Sequence, residues 1–386
     1  MQDETPKNIQ KAELPLRGDE SGSDAELEKL RRSSMRISRI IIPIILGLAV
    51  VGYLMWKNFD PEEFKKISWG PKTAIWMSIG LVMLVMRHLS YSYRLWILAE
   101  RSFSFVKCIE LIFIWLFSSA VTPTSVGGSA VALILLSKEK LSSARTAVIV
   151  LYTVVTDTFF FIITLAFLYL VLGPSMLRPD LISVFEIDRW GKTFLIGYCV
   201  MFLYGSFFAY GLFIDPHRPR QILDWVTRGK LFGRFRKQAL QTGHEFVEAS
   251  RDIVRRTWQF HLHVIVATIL AWSCRFILLI CIILAFVPGA VFDGVSQIHQ
   301  FARIEGMFVI MEFSPTPGGS GIAEYAVSAY LKDFVPVGIV FIVAFIWRFL
   351  EYYSYLLIGV IIVPTWIRKV YKRSKKQKKS KADRQG

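Results

Sequence analysis

Runs of about 20 apolar residues, each long enough to cross the roughly 30 Å hydrocarbon core of a bilayer as helix, recur along the chain and limit what it can fold into. By their polar flanks the full spans are Ile40 to Trp56, Thr73 to Trp96, Ala147 to Leu172, Thr193 to Ile214, Trp258 to Val287 and Val337 to Ile362. Hydrocarbon offers backbone amides and carbonyls no partner, so such runs must bond internally as helices. The expected fold is an all-α polytopic membrane protein. The hydrophobic share of 53% is more than the core of a soluble domain needs.

The charge pattern sets the expected orientation. The net charge of +16 lies mainly in tails and loops that border apolar runs, including Arg218, Arg220, Arg228, Lys230, Arg234, Arg236 and Lys237 and the tail after Ile362. Bases so placed fit anionic lipid headgroups and exclude a nucleic-acid partner, and the positive-inside rule puts them in the cytoplasm. The expectation is a multi-pass protein of a bacterial cytoplasmic membrane with both termini cytoplasmic. Ile40 to Trp56 follows a hydrophilic stretch and precedes no small-residue cleavage site, so it reads as a retained span. The four cysteines lie in apolar runs without CxxC spacing, and neither a metal nor a cofactor is expected.

Two apolar segments are interrupted. The first runs from Cys108 to Ala120, breaks at TPTSVGGSA and resumes at Ala130 to Leu136, with bases at both ends. The second runs from Phe301 to Phe313, breaks at SPTPGGSG and resumes as IAEYAVSAYL, with flanks poor in bases. Each half then reads as spans plus a broken re-entrant helical hairpin, and an odd number of crossings between them gives the halves inverted topology. The expected organisation is a disordered tail at 1–38, a first membrane repeat at 39–172, an external loop at 173–191, a second repeat at 192–366 with a basic loop at 215–257, and a basic tail at 367–386.

Irregular backbone at membrane depth is tolerated only where protein or a wet cavity surrounds it, so the two tips are expected to meet near the midplane. Pro123, Gly127 and Gly128 in the first, and Pro315, Gly318 and Gly319 in the second, are candidate substrate-binding positions. A helix starting just after each glycine pair would point free amides at an anion. The plainer reading is that Gly and Ser only let helices pack closely. Ionisable residues within spans add Asp157, Arg275, Arg303, Glu324 and Arg348 to the candidates, since such groups face a bundle interior or a wet cavity. Asp157 follows Pro123 by 34 residues and Arg348 follows Pro315 by 33, so the two are expected to face each other across the centre. Structural ion pairs are the competing account of each. Arg87 and Arg275 fall on corresponding spans, whereas His88 and Arg94 read as interfacial residues beside Tyr91 and Tyr93.

The segment PTPGGSGIAEYAVSAYL, with Arg348 in the apolar span behind it, resembles the lysylphosphatidylglycerol synthase transmembrane (flippase-like) family of bacterial and archaeal membrane proteins. The resemblance covers roughly Ile40 to Arg368 and centres on Pro317, Gly318, Gly319, Gly321 and Glu324. It implies translocation of a phospholipid or lipid-linked molecule, by analogy with the flippase half of the multiple peptide resistance factor. Arg275, Arg303 and Arg348 would then face a phosphate, while Asp157 and Glu324 orient those arginines or bind an amino headgroup. No segment here has the composition of the soluble aminoacyl-transferase domain of some relatives, so synthase activity is not expected. The alternative is an intramembrane transferase with Asp157 or Glu324 as base, but no HExxH, DxD, GxSxG or P-loop motif is present. A scaffold acting through its basic tails would leave the broken hairpins unexplained.

Overall fold

The computed structural model describes residues 56, 61–65, 67, 69–122, 125–139, 141–176, 189–227, 236–312, 314, 316, 319 and 321–382. Among them there is no strand, and five helices are long and apolar enough to cross a membrane: Pro71–Leu98, Ser143–Met176, Phe194–Ile214, Trp258–Phe286 and Val337–Val370. The expected first span, and the 1–38 tail before it, lie outside the described residues apart from Trp56. The chain divides into two compact units, Ile40–Val363 and a second formed by Met1–Arg39 with Pro364–Gly386. In the second, the last helix continues through Pro364 to Ala382.

Helix α1 (Pro71–Leu98) starts on Pro71, whose missing N–H would be an orphan there in any case, after the N-cap Gly70. Its 28 residues reach about 42 Å, enough to put its ends on opposite sides of a bilayer. Helices α2 (Phe105–Val121) and α3 (Ser125–Ser137) form the first hairpin. They reach only about 25 and 20 Å at 1.5 Å per residue, and Lys107 at the start of α2 pairs with Glu139 just past α3 at 2.8 Å. Both open ends therefore lie on one side. Helix α4 (Ser143–Leu172) begins at that side, capped by Ser142 accepting from the Arg145 amide, and ends at Gly173 with φ +67°.

Helix α5 (Arg189–Ala209) returns along α4, with Gly205 on Thr158 and the Tyr198 hydroxyl donating to the Ile162 carbonyl at 2.9 Å. It widens into a π turn at Tyr210–Ile214 and leads to the amphipathic helices α6 (His217–Thr227) and α7 (Arg236–Val254), which fill the expected basic loop. Helix α8 (Trp258–Phe286) packs antiparallel on α1 along its length. Thr73 donates to the Ala285 carbonyl at one end, Gly80 lies on Leu278 and Cys281, and Arg94 reaches Thr268 at the other.

Two sets of polar contacts mark the two sides. Glu100 after α1 pairs with Arg145 at the start of α4 and with Arg256 before α8, so these ends and the open end of the first hairpin share a level. At the opposite end of α1, Lys72 donates to the Ala290 carbonyl at 2.7 Å, in the connection to α9 (Val295–Glu312). Helix α9 and α10 (Ile322–Tyr330) form the second hairpin, which enters from that opposite side. Helix α11 (Val337–Arg348) passes through a π turn at Phe349–Tyr353 into α12 (Ser354–Ala382).

The sides of these helices are inverted relative to a soluble bundle. On α1 the exposed stripe is Ile75, Val82, Val85 and Met86, while Arg87, His88, Ser90, Tyr91, Ser92 and Arg94 are buried. On α4, Ile163, Phe167 and Leu170 are exposed at i, i+4 and i+7, a stripe that lipid, not water, would cover.

Candidate functional site

A cavity of about 1160 Å³ occupies the interior between the hairpins. Ser119, Ala120, Thr122 and Ser129 line it from the first hairpin, and Ser314, Thr316 and Gly319 from the second. Arg87, Arg94, Asp157, Arg275, Arg348 and Glu351 line its middle. Towards the base-rich side its wall passes to Phe246 on α7 and Arg218 and Ile222 on α6, where it adjoins a surface groove at Phe207, Tyr210 and Trp225.

Three ion-pair groups hold the wall. Arg94 of α1 grips Asp157 of α4 with both terminal nitrogens, the second at 3.1 Å from Oδ2. Thr268 takes a further Arg94 N–H at 3.0 Å, and the Trp272 indole donates to Asp157 at 2.9 Å. Arg348 lies 3.3 Å from Glu324, which is 1% exposed, and its guanidinium stacks on Tyr352 at 4.1 Å. Glu351 sits in the π turn, a widened turn often found at functional sites. It receives Arg275 at hydrogen-bond distance and Arg87 at 3.8 Å.

That last group carries unequal charge. Two guanidiniums converge on one carboxylate, and among the described residues Arg87 Nε and Nη1 have no hydrogen-bond partner. Arg87 instead lies over the rings of Tyr91 and Tyr355 at 5.8 and 5.4 Å. Arg275, 22% exposed, rests on Trp272 and on Phe308 at 4.9 and 4.4 Å, with its edge towards the cavity. Aromatic faces hold a guanidinium without neutralising it, so a surplus positive charge faces the cavity.

Of the residues singled out from the sequence, Asp157, Arg275, Arg348 and Gly319 line this space and Glu324 stands behind Arg348. Asp157 and Arg348 share the cavity but do not pair; each finds its counter-ion nearer to hand. Arg303 is not among the lining residues, and pairs at 2.9 Å with Asp333 beyond α10. The first glycine pair does not precede a helix, as the spacing led one to expect: Gly127 and Gly128 lie within the first turns of α3. A Cβ at Gly128 would stand 2.7 Å from Ser119 Cβ and 3.1 Å from its Cα, so this glycine brings α3 onto α2. In the second hairpin Gly319 and Gly321 take φ +69° and +86°, a region only glycine enters cheaply. The Gly321 amide donates to Glu324 at 2.6 Å, so α10 carries its own anion at its N-terminus. Pro123, Pro315 and Gly318 lie outside the described residues.

Three members of the site escape a reading of the sequence. Arg94 is 5% exposed and central, not interfacial, and Glu351 and Thr268 carried no signal at all. Only the alternation of polar residues on a single stripe of α1, from Arg87 through Tyr91 to Arg94, announces a wet side within a span.

The family model for the lysylphosphatidylglycerol synthase TM region matches residues 40–359, which takes in both hairpins and every helix of the cavity. The chain belongs to this family. Among relatives of the lysylphosphatidylglycerol synthase TM region is a UPF0104 membrane protein of Archaeoglobus fulgidus, 23% identical over 336 residues, which cover 84% of this chain and 95% of the relative. No solved structure matches the chain. Membership gives a multi-pass membrane protein, and the five apolar helices agree with it.

Proposed function

We propose that this protein moves a phospholipid or lipid-linked molecule with an anionic headgroup between the leaflets of a bilayer. The observation that carries the reading is the sharing of Glu351 by Arg87 and Arg275 at the wall of an interior cavity. A buried guanidinium without a full counter-charge is costly, and a phosphate oxygen between the two would complete the set with charge-assisted hydrogen bonds. Ser119 and Thr122 on one hairpin and Ser314 and Thr316 on the other offer hydroxyls to the same space. Acyl chains would stay in lipid and enter beside α5 and α6, where Phe207, Tyr210 and Ile222 are exposed. The two hairpins, entering from opposite sides, support the inverted repeat on which alternating access is built in many transporters. By the positive-inside rule the side holding α6, α7 and the Glu100 layer is cytoplasmic, an orientation in keeping with the proposed place in a bacterial cytoplasmic membrane. Its bases hold anionic headgroups at the surface.

Vesicles with headgroup-labelled phosphatidylglycerol in one leaflet, read with a membrane-impermeant quencher, test this. The protein should speed equilibration between leaflets, and Arg275→Gln should slow it roughly tenfold, the loss of about 1.4 kcal/mol of headgroup interaction. Protein that leaves anionic and zwitterionic labels alike in their original leaflet would refute the reading.

A further inference from the structure

Glu305 has no part in the cavity wall, yet it is the most completely enclosed carboxyl in the second hairpin, at 0% exposure. Its neighbours distinguish it. Asp157, Glu324 and Glu351 each face an arginine, whereas among the described residues the polar partner of Glu305 is the hydroxyl of Thr164 on α4, through Oε1, and Oε2 has no hydrogen-bond partner. Among the described residues, no cation on the elements around α9 pairs with Glu305. On α1 Arg94 is taken by Asp157 and Arg87 faces Glu351, as does Arg275 on α8; Arg145 on α4 pairs with Glu100, Arg348 on α11 with Glu324, and Arg303, two positions away on α9 and so on another side, with Asp333. On α5 Lys192 is exposed and the Tyr198 hydroxyl is given to the Ile162 carbonyl, and His299 lies nearly two turns back along α9.

Counting protons favours the neutral state of the group. Thr164 Oγ1 has one hydrogen, and it lies at hydrogen-bond distance from two oxygens, the Phe160 carbonyl at 2.6 Å and Glu305 Oε1. An ionised carboxylate and a carbonyl are both acceptors, so one of these approaches would hold no proton. A neutral carboxyl removes the conflict by donating its O–H to Thr164, which donates in turn to Phe160. The same neutral form avoids burying an ionised group without a counter-charge. Glu305 also lies on the stripe of α9 that carries Phe308, Val309 and Glu312, at i+3, i+4 and i+7, and all three line the cavity. Phe308 is the ring beneath Arg275.

We propose that Glu305 is a proton-binding site of the transport cycle, occupied in this conformation and emptied when the second hairpin moves its carboxyl into the cavity. This rests on the transport reading and supplies its energy source. The step is simple: Glu305 takes one proton from water on one side and returns it to water on the other, with no other bond made or broken. Protonated, the group lets α9 pack on α4. Ionised, it must reach water or the guanidinium of Arg275, which rests on Phe308 about one turn further along α9.

Two measurements separate this from the reading it depends on. In infrared difference spectra of the protein in bilayers, titrated from acid to alkali, a protonated-carboxyl band should persist above the range in which exposed carboxyls ionise. Glu305→Gln should remove that band, and Thr164→Val should shift it. In vesicles with labelled phosphatidylglycerol, one proton coupled to one lipid gives up to about tenfold leaflet asymmetry per pH unit of imposed gradient. Glu305→Gln should abolish the asymmetry, so that whatever transport it retains no longer responds to the gradient. If wild type moves lipid but ignores the gradient, or the variant keeps its response, the proton site is refuted and transport stands. If wild type moves no lipid, transport fails, and the infrared band alone decides whether Glu305 holds a proton. Should Glu305→Gln not fold, Glu305→Asp serves, and a band and gradient response both unchanged by it would count against the proposal.

Discussion

The two hairpins carry nearly the same letters, a Pro-Thr followed by Gly-Gly-Ser, and use them for different ends. In the first, the glycines are helical and remove side chains, so that α3 lies against Ser119 of α2, and the ion pair sits at the open end, where Lys107 meets Glu139. In the second, Gly319 and Gly321 supply positive φ, the helix after them is only nine residues long, and the buried ion pair sits beside the tip, where Glu324 meets Arg348. One hairpin is stiffened by contact and the other is held by charge. The lesson is that a glycine pair states that a side chain is unwelcome, but only the backbone says whether space or conformation is the reason.

Substitutions that attack each device should break the comparison if it is wrong. The largest effect is expected from Arg348→Ala, which leaves the Glu324 carboxylate buried without its cation. Breaking a buried pair from one side costs about 3–5 kcal/mol, read as a lower midpoint of thermal unfolding in lipid micelles. Joint replacement with Glu324→Leu should recover much of that loss. Gly128→Ala comes next: its methyl group meets Ser119 Cβ and Cα, which no rotamer change moves away, so overpacking of about 1–3 kcal/mol follows. Loosening of the first hairpin would appear as faster amide exchange in α2 and α3, with α9 unaffected.

Gly319→Ala should cost slightly less, about 1–2 kcal/mol, because it strains φ and not space; the nearest atom to an added Cβ is Met311 Cε at an ordinary 3.6 Å. Trimming Met311 should therefore restore nothing, and a rescue would show that the second tip is also a packing device. The smallest effect concerns the caps. Ser104 caps α2 without a charge, whereas Asp293 caps the start of α9, accepting from the Ser296 amide at 2.7 Å and its hydroxyl at 2.8 Å. Those hydrogen bonds hold the Asp293 carboxyl below the usual carboxylate range. A depressed value in the folded state stabilises above the unfolded value and is lost as pH falls through the folded one. Protection of the Ser296 amide against exchange, taken relative to its intrinsic rate, should then fall on acidification while that of Lys107 does not, and Asp293→Asn should flatten the difference.

Hydropathy displayed the five described spans almost to their ends, because a bilayer demands length and apolarity of a single segment and both are local properties. The breaks at Thr122 and Ser314 were as plain, since Pro and Gly interrupt a helix wherever they stand together. Pairing was not local. Asp157 and Arg348 look symmetrical along the chain, but Arg94, 63 residues upstream of Asp157, reaches it first because α1 crosses α4 at that depth. Glu351 was invisible for a different reason. It follows Trp347, Arg348, Phe349 and Leu350, a sequence that reads as the edge of a span, and nothing in its neighbours betrays that the helix there widens by one residue per turn.

That extra residue has a lasting effect on everything after it. Each residue advances a helix by about 100°, so the insertion at Phe349–Tyr353 shifts the rotational phase of α12 relative to α11 by that amount. Ahead of it Arg348 points to Glu324; beyond it Tyr355 meets His88, and Gly359 presses on Phe117, where an added Cβ would lie 2.6 Å from the ring's own Cβ. A regular helix has no single phase that serves both directions. Deleting one residue here would swing the downstream segment off the first hairpin while leaving hydrophobicity and length almost untouched, so this short stretch is the place where the last span is least tolerant of a change in length.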